Sequence, residues 1–492
     1  MNNWSTLAKS FAFLLVVLGL SACDTQAPIS EADDLGSVAA KSSADLLIAP
    51  PAGFEMPDPA FIALTKGNQL AKLTAAVEKK GGTVTFAHEA TGFAVIRGIS
   101  DKEASQLKAS KLVSSIEADF SFPMNVPKTG ETLNAQIDSP TDPTTAYFYP
   151  RQWNMRAIDA DEAWAAGKLG DPSVTVAVLD TGIDYTYPDL EGLVDLSRSI
   201  SFVPEDDAYV DYYFPGRHPI SDIGYHGTHV AATIASNAYV AAGVTSMTTL
   251  IGVKVCSVAT GGCPSSAVIA GVLYAADHGA DVINMSLGGY FTKAGSKGYV
   301  GYVNQAFNYA RRQGALVVVS AGNDAVDMDH YNGESIVRDG VTYELDPSTY
   351  KTYCSAPTVA CVSSTGPTNY SLGGPNDPEW ENVDAPADYT NYGRSAVNVA
   401  APGGNASYVY AGCSQTSLVY TICQTGNYIV GLAGTSMAAP HTSGLAALLA
   451  AEGYRAPQIL TRIQQTADDL GQRGTDPYYG KGRINVADAL GL

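Results

Sequence analysis

From about Tyr147 onward the chain alternates short runs of Val, Ile and Leu with longer amphipathic stretches. No other feature limits the possible folds as strongly. VTVAVLD, TTLIGVKVC, DVINMSLGG and ALVVVSAGN read as strands, and HVAATIAS, SSAVIAGVLYAADHG and VNQAFNYARRQG as helices. Strands that are apolar along their whole length need cover on both faces. The alternation therefore predicts an α/β fold, a parallel sheet with helices on both sides. In such sheets the chemistry gathers beyond the carboxyl ends of the strands. No internal repeat is present.

The rest of the chain divides by texture. Lys9 and the apolar run 11–20 have the form of an export signal, too short for the roughly 20 residues of a membrane span. L-S-A-C at 20–23 resembles the lipobox of bacterial lipoproteins, which implies a signal over 1–22 and acylation of Cys23. Residues 23–57 are small, acidic and Pro-containing, and read as a tether. Within 58–122, NQLAKLTAAVEKKG has helical spacing, TVTFAHEATGFAVIRG reads as two strands around a turn, DKEASQLKAS as a helix capped by Asp101, and SKLVSSIEAD as a strand. This is a small α+β unit of ferredoxin-like order. Residues 123–145, rich in Pro, Thr and Asp, read as a linker, and 146–492 as the main domain. An apolar share of 46% against 16% charged residues fits globular domains, and a net charge of −20 argues against nucleic acid as a partner.

Six of the seven cysteines fall into close pairs, Cys256/Cys263, Cys354/Cys361 and Cys413/Cys423, which leaves Cys23 alone. In an exported chain such pairs read as local disulfides.

Four polar residues stand at the ends of the apolar strands or the starts of helices. They are Asp180 in AVLDTGID, His226 in HGTHVA, Asn323 in VVVSAGND and Ser436 in GTSMAAPH. Singly, the strand-end Asp reads as a cap or turn residue, the lone His as structural and the Ser as an N-cap. Together they supply the parts of acyl transfer: a hydroxyl nucleophile, an imidazole base, a carboxylate to orient it, and donors for an oxyanion from Asn323 and the Ser436 N–H. The order Asp, His, Ser resembles the subtilisin-like serine peptidases. QWNM, VAVLDTGID, HGTHVA, VINMSLGG, SAGN, NYGRSAVNVAAPGG, GTSMAAPH and GKGRINVADAL carry that resemblance from about Gln152 to Leu492. The roles of the four residues are those established for subtilisin and are carried over from it. The unit at 58–122 likewise resembles the propeptide of that family, a folding chaperone and inhibitor.

The resemblance implies more. Substrate should bind as an added strand between Thr260–Gly261–Gly262 and Ser286–Leu287–Gly288, with Gly322 beside the pocket. Asp324 falls at the rim of the P1 pocket, where it could attract a basic P1 residue; a mainly apolar preference is expected, with a solvent-facing carboxylate as the alternative. Asp189 matches a calcium-ligating position, with a turn carboxylate as the alternative, so calcium enters as a structural ion and the chemistry needs no cofactor. His229 and His441 read as structural. Tyr225 and Ala232 replace glycines usual in the family, and the segments 202–225, 324–353 and 368–388 are enlarged and read as loops over the cleft. The expected protein is an exported, monomeric serine endopeptidase acting on peptides. It would be made as a zymogen held at the membrane through Cys23, with its propeptide as inhibitor, and cut near Met124–Asn125 to release the mature enzyme to the periplasm or the medium. The alternatives are a processing protease of narrow specificity, or a binding protein on a silent peptidase scaffold.

Overall fold

The computed structural model describes residues 50–51, 54–124, 132–134, 142–292, 297–331, 333–338, 341–351, 353–372, 378–405, 419–422 and 428–492. Cys23, Asn125, Cys413 and Cys423 lie outside them, as do the signal and most of the tether.

Residues 60–118 form a sheet with two helices in the order β1 (Ala60–Thr65), α1 (Leu70–Glu78), β2 (Thr83–His88), β3 (Phe93–Arg97), α2 (Asp101–Ala109) and β4 (Val113–Ala118). The strand order β2-β3-β1-β4 is antiparallel throughout, the ferredoxin-like arrangement expected. Strand β1, AFIALT, was not legible from turn signals. The cap of α2 is Ser100 rather than Asp101. Its hydroxyl accepts from Glu103 N while Glu103 accepts from Ser100 N, and Asp101 sits in the first turn. Side chains alternate along β1. Phe61 and Ala63 join Leu73, Val77 and Leu107 under the unit's own helices. Ala60 and Ile62, with Phe93 and Val95 of β3, point the other way into the core of the larger domain. A short strand β5 (Ser121–Pro123) follows.

The larger domain contains, in chain order, β6 (Thr175–Asp180), β7 (Ile200–Ser201), α3 (Pro204–Tyr213), α4 (His226–Ile234), β8 (Thr249–Lys254), β9 (Gly262–Pro264), α5 (Ser265–Asp277), β10 (Val282–Met285), α6 (Lys297–Gln313), β11 (Leu316–Ser320), β12 (Val359–Thr365), β13 (Val399–Pro402) and α7 (Thr435–Ala451). Seven of these strands make one sheet in the order β13-β12-β11-β10-β6-β8-β7. Every pairing in it is parallel, which is the predicted class. Val176 and Val178 face a core shared with α4 and α7. Ala177 and Leu179 face one shared with α5 and α6. Both faces are thus covered, as all-apolar strands demand.

The enlarged segments are not bare loops. Segment 202–225 contains α3, started by Pro204 at its first turn with Glu205, Asp206 and Asp207 behind it, where acidic groups suit the positive end of the helix. Segment 324–353 contains the hairpin Ser335–Arg338/Val341–Glu344 and the strand Thr349–Lys351, which pairs with Tyr290–Thr292. Asn369–Leu372 pairs with Pro378–Glu381. Two of the expected disulfides are formed, Cys256–Cys263 and Cys354–Cys361. Among the described residues no helix is long and apolar enough to cross a membrane.

Candidate active site

The carboxyl ends of β6, β8, β10 and β11 converge, and the segments leaving them bring the four candidate residues together. Asp180 is the last residue of β6 and His226 the first of α4. His226 Nδ1 lies 2.8 Å from Asp180 Oδ1, which also accepts from Thr181 N at 2.8 Å. The carboxylate thereby selects the tautomer with hydrogen on Nδ1 and leaves Nε2 as the basic nitrogen. Burial alone would push the His226 imidazole down. The Asp180 charge and hydrogen bond, with Asp222 beyond, outweigh that and hold it above its ordinary value. The close approach of α4 to β6 requires Gly227, whose Cβ would fall 2.2 Å from Gly182 O.

Ser436 is the second residue of α7, buried at 5% exposure and lining the same cavity as Asp180 and His226. Its Oγ donates to Ser286 O at 3.2 Å, and Ser286 Oγ donates back to Ser436 O at 2.8 Å. Asn284 donates to Ser286 Oγ at 3.1 Å and accepts from Ser443 Oγ at 2.8 Å, so the nucleophile's helix is tied to β10 by a buried polar chain. Asn323 follows β11. Its Oδ1 accepts from Thr435 N and Oγ1 at 2.9 and 2.8 Å, which fixes the amide and leaves its Nδ2 donors for the cavity. Thr435 Oγ1 also accepts from Gly322 N at 3.0 Å. Thr435 was not singled out in the sequence, although it is the residue that orients Asn323.

A segment of the chain itself lies in the cleft. β5 pairs antiparallel with β9 through Gly262↔Pro123, Cys263↔Phe122 and Pro264↔Ser121, and Met124 N donates to Gly261 O at 2.8 Å. Pro123 and Met124 line the cavity with Ser436. The expected edge is therefore present but shifted: Gly261 and Gly262 take part, whereas Thr260 sits in the turn, its N–H on Ser257 Oγ at 3.1 Å. Ser286, Leu287, Gly288 and Gly322 line the cavity. Gly289 was missed, though the Gly-Gly pair of SLGGY was the available signal. A Cβ there would lie 2.2 Å from Phe122 Cδ1, so only glycine admits the buried Phe122 ring to its nest of Phe120, Phe291, Tyr299 and Tyr353. Asp119, just before this strand, caps α5 by accepting from Ser265 Oγ and Ser266 N at 2.7 and 2.9 Å. Glu117 accepts from Gly298 N at 3.2 Å in the first turn of α6.

The remaining candidates fall outside the cavity. His441 donates from Nδ1 to Met437 O at 2.7 Å and accepts from Asn154 at Nε2 at 2.8 Å, and burial brings it down to about 4, so it is a neutral structural group. His229 is fully buried inside α4. Asp324 accepts from Tyr290 Oη at 2.6 Å, and Tyr290 lines the cavity. Asp189 is fully buried, and burial raises it to about 6. It accepts from Ser236 Oγ, Val240 N and Ala241 N at 2.8 to 3.2 Å. That donor set fits a turn carboxylate rather than a calcium ligand, because each donor turns positive charge toward it. Among the described residues no group of three or more His, Cys, Asp or Glu side chains could hold a metal ion.

This fold and this site have known counterparts. The family model described as "Subtilase family" matches residues 171–482. A thermophilic serine proteinase of Bacillus sp. (strain AK1) is 33% identical over 351 residues, 71% of this chain and 69% of that protein. Thermitase of Thermoactinomyces vulgaris is 32% identical over 355 residues, 72% of this chain and 99% of thermitase. Among solved structures, the epidermin leader peptide processing serine protease from Staphylococcus aureus superimposes with a TM-score of 0.67 at 22% identity, covering 88% of this chain and 98% of that one. The chain belongs to the subtilase family and is a subtilisin-like serine peptidase.

Proposed function

We propose that this chain is an exported serine endopeptidase made as a zymogen that processes itself. The observation that carries the reading is the strand Ser121–Pro123 paired with Gly262–Pro264, with Met124 lining the cavity that Ser436 also lines. A substrate bound in the same way presents its scissile carbonyl to Ser436 Oγ. His226 Nε2 takes the hydroxyl proton as the C–O bond forms, and Asp180 steadies the imidazolium. Charge on the carbonyl oxygen is met by the Ser436 N–H, at the start of α7, and by Asn323 Nδ2. His226 then gives its proton to the leaving amine. Water, activated by the same imidazole, hydrolyses the acyl-enzyme. The chemistry uses only side chains and backbone donors, and calcium is assigned no step in it.

The unit at 58–122 acts as intramolecular inhibitor. The first cut falls at Met124–Asn125, within the linker 123–145. The lipid on Cys23 stays with the inhibitor side, so the precursor is held at the membrane and the mature monomer is released to the periplasm or medium. Peptides and proteins are the substrates. A narrow processing role is the second reading, favoured by the added strand Thr349–Lys351, which pairs with Tyr290–Thr292 directly behind the cavity wall.

The reading is tested by reaction with a serine-directed sulfonyl fluoride followed by peptide mass mapping, beside hydrolysis of a peptide anilide. The expected result is one label on the Ser436 peptide and loss of both label and hydrolysis in Ser436→Ala. Near-normal hydrolysis by Ser436→Ala would remove the acyl-enzyme.

A further inference from the structure

Behind the substrate edge lies a buried charged pair that acyl transfer does not use. Asp206, in the first turn of α3, and Lys254, the last residue of β8, are both 0% exposed, with Lys254 Nζ 3.6 Å from Asp206 Oδ2. Lys254 also donates to Ser221 O at 2.9 Å. Asp206 Oδ1 accepts from Ser257 Oγ at 2.8 Å and Ala259 N at 3.1 Å, and Oδ2 accepts from Val258 N at 3.0 Å. A run of N–H groups turned inward is an anion-binding concavity, and here the resident anion is a side chain of the inserted helix.

The segment so held is the back of the substrate hairpin. Cys256–Cys263 closes its base, and Ser257 and Gly262 exchange both backbone hydrogen bonds, at 2.8 and 3.2 Å. Asp206 grips one arm through Ser257–Ala259. The other arm, Gly261–Cys263, is the one that pairs with the peptide in the cleft. Disulfide and carboxylate thus fix the hairpin at two points.

We propose that Asp206 is a positioning residue: it presets the Gly261–Cys263 edge so that extended substrates bind in register without ordering that edge first. The inference rests on the peptidase reading above and deepens it. It makes the inserted helix α3 part of substrate recognition, although no atom of Asp206 meets the peptide. Removing the charge frees the turn and costs the binding that depends on pairing. It leaves the acid–base machinery in place.

The test compares Asp206→Asn with wild type on two substrates, a tetrapeptide anilide that spans the edge and a single-residue ester that does not. The expected result is an approximately 10-fold loss of kcat/KM on the tetrapeptide, carried mainly by KM, as for one charge-assisted hydrogen bond. The ester should change by less than about 2-fold. Ser257→Ala keeps the buried charged pair and should give a smaller loss, about 3-fold, on the tetrapeptide alone. It carries the test if Asp206→Asn does not fold. Equal losses on both substrates, or none on either, would overturn the proposal. Sulfonyl fluoride labelling of Ser436 in every variant separates the two claims: an unlabelled wild type sinks the peptidase reading, whereas full labelling with no substrate-length effect sinks this one.

Discussion

The seven-stranded parallel sheet carries its own cover on both faces, whereas the four-stranded antiparallel sheet carries its own on one. The large sheet puts Val178 under α4 and α7 and Leu179 under α5 and α6, all elements of the same domain. In the small unit the outward side chains Ile62 and Val95 are buried in a core that they share with α5 and α6 of the larger domain. Tyr302 Oη reaches Ile62 O at 3.4 Å, and Gln305 Nε2 donates to Thr91 O at 2.9 Å across the same boundary. A sheet covered on one side is marginal alone. The comparison implies one autonomous domain and one conditional unit, joined by a strand whose end lines the cavity that holds Ser436.

The largest effects break the step that would separate the two. Ser436→Ala, His226→Ala and Asp180→Asn should each lower kcat by about 10⁴ or more on a peptide anilide. Asn323→Ala should cost about 10²–10³, the range found for that donor in subtilisin itself. A loss below about tenfold in Asn323→Ala would move the oxyanion site elsewhere.

The next prediction sharpens the contrast between the sheets. In an uncut Ser436→Ala background, Ile62→Ala should weaken docking by about 2–4 kcal/mol, as for a fully buried aliphatic. It should expose 58–122 to added trypsin while the larger domain melts unchanged. If the larger domain melts earlier instead, the boundary is drawn wrongly. Replacing both Cys256 and Cys263 by Ser should cost about 2 kcal/mol, the loop entropy of a short closure, and raise KM a few-fold.

The smallest expected effect is in pH. His226 is held above its ordinary value by Asp180, so its imidazolium persists to higher pH than a free histidine's. The base must be neutral to act. Activity should therefore rise with pH through a midpoint above about 6.5. A midpoint below that value in a pH–rate profile of kcat/KM would mean that burial wins over the carboxylate.

Much of this was legible because it rests on residue type at a strand end. Asp180, His226, Asn323 and Ser436 each follow or precede an apolar run whose direction is set by a parallel sheet. What escaped depends on tertiary partners. Strand β1 has no turn residue to bound it, and its outward face is covered by elements of the larger domain some 200 residues or more away, with Tyr302 Oη on Ile62 O at a separation of 240. Ser100 displaced Asp101 as cap because the reciprocal bond with Glu103 satisfies two backbone donors. Helix α3 did carry a start signal, Pro204 followed by three acids, but it reads as loop when the segment is judged by length. Gly289 and Thr435 act through a ring and an amide distant in sequence, which no local pattern reports.

The central claim is that the strand Ser121–Pro123, with Met124 directly after it, is this enzyme's own first substrate. Intact mass and N-terminal sequencing of purified wild type and Ser436→Ala test it most directly. The account predicts a wild-type enzyme beginning between residues 123 and 146, at Asn125 if the cut falls as proposed, and a Ser436→Ala chain that still carries 58–122. A fully active wild type retaining 58–122 in the same chain, or a Ser436→Ala chain cut at the same place in the absence of other proteases, would contradict it.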